Sequence, residues 1–244
     1  MICAVLALLV FGWMAEGVFS GSFHKFDLES RVLIHQWTSP KLTASMRLAS
    51  TAGCAAFLTE VSVVILGVLL LTRRQRDAAW FLLLMAGGAV IELTLKFSFH
   101  RLRPVPFFGT VFPSYSFPSG HAFASFCFYG QLAMVFTSRR GNRLRRVLVW
   151  LLAAVLIVAI GLSRVYLDVH YTTDVIAGYA AAAAWSNALA IVRSSPKVRV
   201  RSRLACPTDS SPRTFVLTHG SWQAGWCWKR VADRLRAKVT RSIP

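Results

Sequence analysis

Six stretches of mostly apolar residues divide this chain, at about 2–20, 51–71, 78–97, 120–138, 147–162 and 175–192. A helix that crosses a bilayer needs roughly 20 predominantly apolar residues, and these runs reach or approach that length. The last two are short and rich in alanine, a composition suited to close helix packing. The first has no basic residue ahead of its apolar run and is interrupted by Glu16, so it reads as a retained helix and not as a cleaved signal. The pattern predicts an all-α fold, a polytopic membrane bundle of six transmembrane helices.

Composition agrees with that class. Of 244 residues, 55% are hydrophobic and only 16% charged, too few polar groups to cover a soluble domain. Disorder is excluded by the same numbers. The 28 Lys and Arg outnumber 10 Asp and Glu, yet the cations fall in short clusters between apolar runs. Such clusters fit membrane topology and anionic head groups, with no nucleic acid as partner. The five cysteines have no metal-ligand or framework spacing.

Charge also orients the spans. Arg73, Arg74 and Arg76, then Arg139, Arg140, Arg143, Arg145 and Arg146, then Arg193, Lys197, Arg199, Arg201 and Arg203 alternate with the runs so that all fall on one side. That side is expected to be the cytoplasm, with both termini there. Residues 21–50, 98–119 and 163–174 then face outward. The first reads as an amphipathic connector along the interface. The second carries His100, Arg101 and Arg103 beside Lys96, and cations on the outer side call for an anion bound there.

Three groups of residues reach that outer face although up to 78 positions separate them: Lys96-x6-Arg103-Pro104, Pro118-Ser119-Gly120-His121 and Ser163-Arg164-x5-His170-x3-Asp174. Lys96, Arg103 and Arg164 suit phosphoryl oxygens, which guanidinium forks bind two at a time. Ser119 can cap the helix that Gly120 opens, and the free N–H groups of a helix start attract anions. His121 sits one residue inside it. A carboxylate such as Asp174 bonded to one nitrogen of His170 leaves the other free as nucleophile or base. An acid and a nucleophile in a cationic cradle make a phosphoryl-transfer site.

These segments resemble the three motifs of the type-2 phosphatidic acid phosphatase superfamily, K-x6-R-P, P-S-G-H and S-R-x5-H-x3-D, at every fixed position and in order. At ~5% usage per residue type, such a match arises by chance on the order of once in 10¹⁴ placements. The resemblance spans about residues 1–193. It implies an integral membrane phosphatase acting on phosphorylated lipids (lipid phosphates or polyprenyl diphosphates), at the outer face that the charge pattern gives, and the short loops suit a bacterial inner membrane. It implies further that His170 forms a phosphohistidine oriented by Asp174 and that His121 protonates the leaving group. Lys96, Arg103, Arg164, Ser119 and Gly120 would hold the phosphate, with no cofactor and no metal. Vanadium haloperoxidases share such a site, but six spans argue against them; a lipid-phosphate-binding protein without turnover would need neither histidine. Membrane lipids are the other expected partners, while lipid identity and oligomeric state stay open.

Four further readings concern single residues. Glu92, one turn before Lys96, is expected to pair with it. Glu60 is expected to face the bundle interior, and Asp168 reads as a solvated loop acid. His100 and Arg101 read equally as substrate-receiving or as plain interfacial cations, and Phe107, Phe108, Phe112, Tyr115 and Phe117 as interfacial anchors or the lining of a lipid-chain slot. Beyond the bundle, residues 194–213 form a basic linker. Residues 214–244 resemble the opening strand and helix of an α/β-hydrolase without its nucleophile elbow, a truncated vestige expected to be inert.

Overall fold

The computed structural model describes residues 1–105, 114–137 and 142–195. The expected tail at 214–244, nearly all of the linker before it, and Arg139 and Arg140 lie outside them. Among the described residues there are eight helices and no strand: α1 (Ile2–Phe19), α2 (His24–His35), α3 (Pro40–Ala52), α4 (Ala55–Leu71), α5 (Gln75–Phe99), α6 (Gly120–Thr137), α7 (Arg143–Tyr166) and α8 (Thr172–Ser194). Every apolar run of the sequence lies within or largely within one of them.

Four of these helices, α1, α5, α7 and α8, are long and apolar enough to cross a membrane. A fifth crossing is available if α3 and α4, bent by 45° at their junction, act as one broken span. The helix at the fourth run, α6, is not among them. Ser125, Tyr129 and Gln131 dilute its apolar character, and it buries Ala122, Phe123, Ser125, Cys127, Phe128 and Ala133 in the protein. A helix wrapped by others has little need for a lipid-compatible surface.

The distribution of polarity is the reverse of a soluble protein's. On α7, Leu144, Val147, Leu148, Leu151, Leu152, Val155, Val158 and Leu162 are exposed, a stripe at helical spacing facing outward. The interior holds Asp27, Ser116, Ser119, Ser163, Arg164, Asp168, His170, Thr173 and Asp174. Exposed apolar faces around a polar centre are stable only where lipid replaces water. The chain is a multi-pass membrane protein.

Small residues bring the central helices together. α8 buries Ala177, Gly178 and Ala180 to Ala182, and a methyl group added at Gly178 would lie 2.6 Å from the Ser119 carbonyl oxygen. The alanine-rich packing expected for the sixth run is thus found, whereas α7 turns most of its large side chains outward. At the far end, Arg193 of α8 and Arg74 both pair with Asp77 of α5, at 2.6 and 2.8 Å. The described basic residues 73, 74, 76 and 193 therefore gather at the end of the bundle away from the three motifs.

The connection between the first two runs is more than a connector. It forms α2 and α3, and α2 presents Asp27, Arg31 and His35, at spacings of four, to the turn between α7 and α8. Glu60 departs from expectation: it is exposed on α4 and does not face the bundle interior.

Candidate active site

The segment after α7 is folded back on itself. Backbone N–H groups of Val169 and His170 both donate to the Arg164 carbonyl, at 3.0 and 3.2 Å, which sets His170 beside Arg164. Asp168 occupies the left-handed region (φ 56°) that the turn demands, a conformation Asp tolerates better than most residues. Its carboxylate is buried, accepting from Arg31 Nε at 2.8 Å and lying 3.1 Å from His35 Nε2. Asp168 is therefore a structural anchor for this turn and not a solvated acid.

His170 precedes α8 and is buried. Asp174 stands in the first turn of α8, where Oδ2 accepts from the Tyr171 N–H at 2.9 Å. The two are close, with His170 Nδ1 3.6 Å from Asp174 Oδ2, a separation too long for a hydrogen bond. Ser116 fills the gap. Its hydroxyl donates to Asp174 Oδ2 and lies 3.4 Å from His170 Nδ1. No sequence signal had singled out this serine among the aromatic residues around it. His170 Nε2 faces the other way, 3.3 Å from Arg103 Nη1. Burial, only partly offset by Asp174, pushes the imidazole pKa down to about 4. The ring is neutral at physiological pH, with a lone pair available toward the arginine side.

The cations come from three elements. Lys96, near the end of α5, pairs with Glu92 at 2.6 Å, as expected. Arg103 is spread over the loop, donating to Ser114 carbonyl and hydroxyl oxygens and to the Val169 carbonyl. Arg164 projects inward from α7 and donates from Nη1 to Ser50 Oγ on α3. Ser119 donates its N–H to the Asp174 carbonyl at 3.0 Å, while its hydroxyl caps nothing. Ser119 Oγ and Arg164 Nε are both buried polar atoms with no partner among the described residues. Orphans of this kind in a native interior call for a ligand or water.

Lys96, Arg103, Gly120, His121, Arg164 and His170 all line one cavity of about 570 Å³. Ser119 and Asp174 are fully buried beside these residues and are not part of its lining. The cavity continues away from the charges between α4, α5 and α6, along Leu58, Val63, Leu66, Phe81, Leu84, Met85 and Phe123. From Phe81 to Lys96 the α5 wall extends roughly 22 Å at 1.5 Å per residue. Gly53, at the break between α3 and α4, permits this approach: a methyl there would come 2.3 Å from Ile160 Cγ2 and 3.5 Å from His121 Cδ2.

Of the loop aromatics among the described residues, neither Tyr115 nor Phe117 lines this slot. Phe117 is fully buried against Phe11 and Phe99, and Tyr115 packs on Phe97 and His100; Phe107, Phe108 and Phe112 lie outside the described residues. His100 is exposed. Arg101 is neither an interfacial cation nor turned toward the cavity residues, since it bridges Asp174 and Asp27 at 2.6 and 2.7 Å.

Comparison with known proteins agrees with the arrangement. The family model for the PAP2 superfamily matches residues 77–197. Phosphatidylglycerophosphatase B of Bacillus subtilis (strain 168) is 32% identical over 159 residues, covering 62% of this chain and 73% of that protein. An undecaprenyl-diphosphatase of Sulfolobus acidocaldarius is 28% identical over 152 residues, covering 57% and 69%. The crystal structure of a transmembrane PAP2 type phosphatidylglycerolphosphate phosphatase from Bacillus subtilis superposes with a TM-score of 0.72 at 26% identity, over 79% of this chain and 96% of that one. Aquifex aeolicus LpxE, at 24% identity and a TM-score of 0.50 over 67% and 94%, shares the fold. With its motif residues gathered at one end of a helical membrane bundle and relatives of this similarity, the chain belongs to the PAP2 superfamily and is a membrane phosphatase.

Proposed function

We propose that the protein hydrolyses a lipid phosphate monoester or a polyprenyl diphosphate at the outer membrane face, by way of a phosphohistidine at His170 and without a metal. One observation carries the reading: six of the expected site residues line the polar end of a single elongated cavity whose remainder is mostly apolar, with Thr59 and Ser62 its polar exceptions. A phosphate head and a hydrocarbon chain would fit those two ends. The relatives' names supply the two substrate classes, phosphatidylglycerophosphate and undecaprenyl diphosphate.

In the first step His170 Nε2 attacks phosphorus, the P–O bond to the lipid breaks, and His121 gives its proton to the departing oxygen. In the second, water attacks the phosphohistidine while His121 takes a proton back. Inorganic phosphate leaves and both imidazoles return to their starting state. Lys96, Arg103, Arg164, Ser119 Oγ and the Gly120 N–H would hold the equatorial oxygens, where preformed donors lower the barrier most. The outer-face assignment rests on the basic clusters at the opposite end, which are retained in the cytoplasm. Six crossings, with α6 as one and α3–α4 as another, complete this topology.

The chain slot gives a direct test. Ala89 lines it and lies about two turns from Lys96. Ala89→Trp is expected to raise KM for long-chain phosphatidic acid roughly tenfold, a loss of about 1.4 kcal/mol, and to leave a short-chain phosphate ester nearly unaffected. Equal effects on both substrates in detergent would remove the slot from the reading.

A further inference from the structure

Asp174 makes contacts on both carboxylate oxygens, and they differ in kind. Oδ2 serves Ser116, the Tyr171 N–H and the side facing His170. Oδ1 accepts from Arg101 Nη1 at 2.6 Å. The same nitrogen donates to Thr173 Oγ1 at 2.8 Å, while Nη2 donates to Asp27 Oδ2 at 2.7 Å. The guanidinium carbon lies 4.1 Å from the centre of the Tyr171 ring, a stacking that fixes its plane.

Asp27 is fully buried and is spent entirely on this junction. It accepts from Thr173 N at 3.0 Å and Thr173 Oγ1 at 2.7 Å in addition to Arg101. One turn on, Ser30 Oγ meets Thr172 Oγ1 at 2.7 Å. The polar face of α2 thus grips the first turn of α8, and a single guanidinium joins its acid to the one beside the proposed nucleophile. Two buried carboxylates so close would repel without a cation between them. Despite its burial, Arg101 has its pKa raised by Asp174 and Asp27.

We propose that Arg101, held in place by Asp27 of α2, is a positioning residue for His170: by occupying Asp174 Oδ1 it fixes Oδ2 toward Ser116 and Nδ1 and keeps the imidazole an uncharged nucleophile. The inference rests on the phosphatase reading and names a part that the three motifs do not. Without Arg101, Asp174 would carry an uncompensated charge, turn freely, and favour imidazolium over imidazole. The planar fork matters because one group must serve two acids at once, which an ammonium cannot do as well.

The charged and titratable groups facing His170 are Asp174 from α8, Arg103 from the α5–α6 connection, Arg164 from α7 and His121 from α6. Arg101 acts on it through Asp174. The test uses the full chain in detergent with a short-chain phosphatidic acid. It measures kcat, KM and the pH profile of kcat/KM for wild type, Arg101→Gln, Arg101→Lys and Asp27→Asn. Arg101→Gln is expected to lower kcat about 10²-fold, with KM within roughly threefold, and to move the acidic limb upward by about one pH unit. Arg101→Lys should recover part of both. Asp27→Asn should lower kcat less, with its limb unmoved or displaced downward, because a negative charge has been removed.

The position of the limb does not depend on how much of a variant folds. An unmoved limb in Arg101→Gln and Arg101→Lys, with only the amplitude reduced, would assign Arg101 a purely structural role and overturn the proposal. A raised KM at unchanged kcat would make it a substrate contact and overturn it equally. Wild type that releases no phosphate from any phosphorylated lipid would instead remove the phosphatase reading, and the proposal with it.

Discussion

His170→Ala is expected to abolish phosphate release from phosphorylated lipids, by on the order of 10⁴-fold or more, while the protein stays folded and still binds substrate. Removing a nucleophile forfeits the whole covalent route, and losses of this size follow even when every other group remains. The structure gives specific reason to choose this imidazole. It is buried and held by burial near pKa 4, with one nitrogen turned to Ser116 and Asp174 and the other to Arg103 and the cavity. KM should change little, because the cations proposed to bind phosphate are untouched. Phosphate release by the variant at wild-type rate would remove His170 from the reaction.

His121→Ala is expected to produce a different defect. The general acid contributes about 10²–10⁴-fold, and its value depends on how poor the leaving group is. A lipid alkoxide needs a proton; the phenolate of an activated aryl phosphate does not. With a lipid phosphate the variant should be slow from the first turnover. With the aryl ester it should release a burst of phenol equal to the enzyme present and then stall, since water attacking the phosphohistidine lacks its base. A loss of the same size on both substrates, without a burst, would give His121 a role in binding or packing alone.

The helices and the motif residues were legible because both are written in strong, local signals. Apolar runs reveal helices wherever lipid is the solvent, and the boundaries of α1, α4, α5, α6, α7 and α8 fall within four residues of the runs. Motif spacing drew together residues from α5, α6, α7, α8 and the segments between them, six of which line one cavity. What escaped was the polar interior behind them. Asp168 reads as a solvated acid and Arg101 as a substrate-receiving or interfacial cation because charged loop residues in most proteins lie at the surface, whereas here both bond to residues of α2.

A signal for that cover existed in Asp27, Arg31 and His35, spaced by four along one helix face. It was read as ordinary amphipathic character because nothing in the sequence tells which face of an interfacial helix meets protein. Ser116 escaped for a related reason: a lone serine carries no spacing, and only its neighbours in space reveal its place between Asp174 and His170. The described part of the chain slot lies between helices whose apolar residues look alike from the sequence, whether they face lipid, core or cavity. Glu60 illustrates the same ambiguity, since helical periodicity fixes relative and not absolute direction.

The most direct measurement is to mix the His121→Ala protein with an activated aryl phosphate, quench it after the burst, and locate the phosphate by mass spectrometry under alkaline conditions that preserve phosphohistidine. The account predicts one phosphoryl group, on the peptide that contains His170, and none in the His121→Ala, His170→Ala double variant. Phosphate on another residue, or an unmodified enzyme that still turns over the ester, would contradict it.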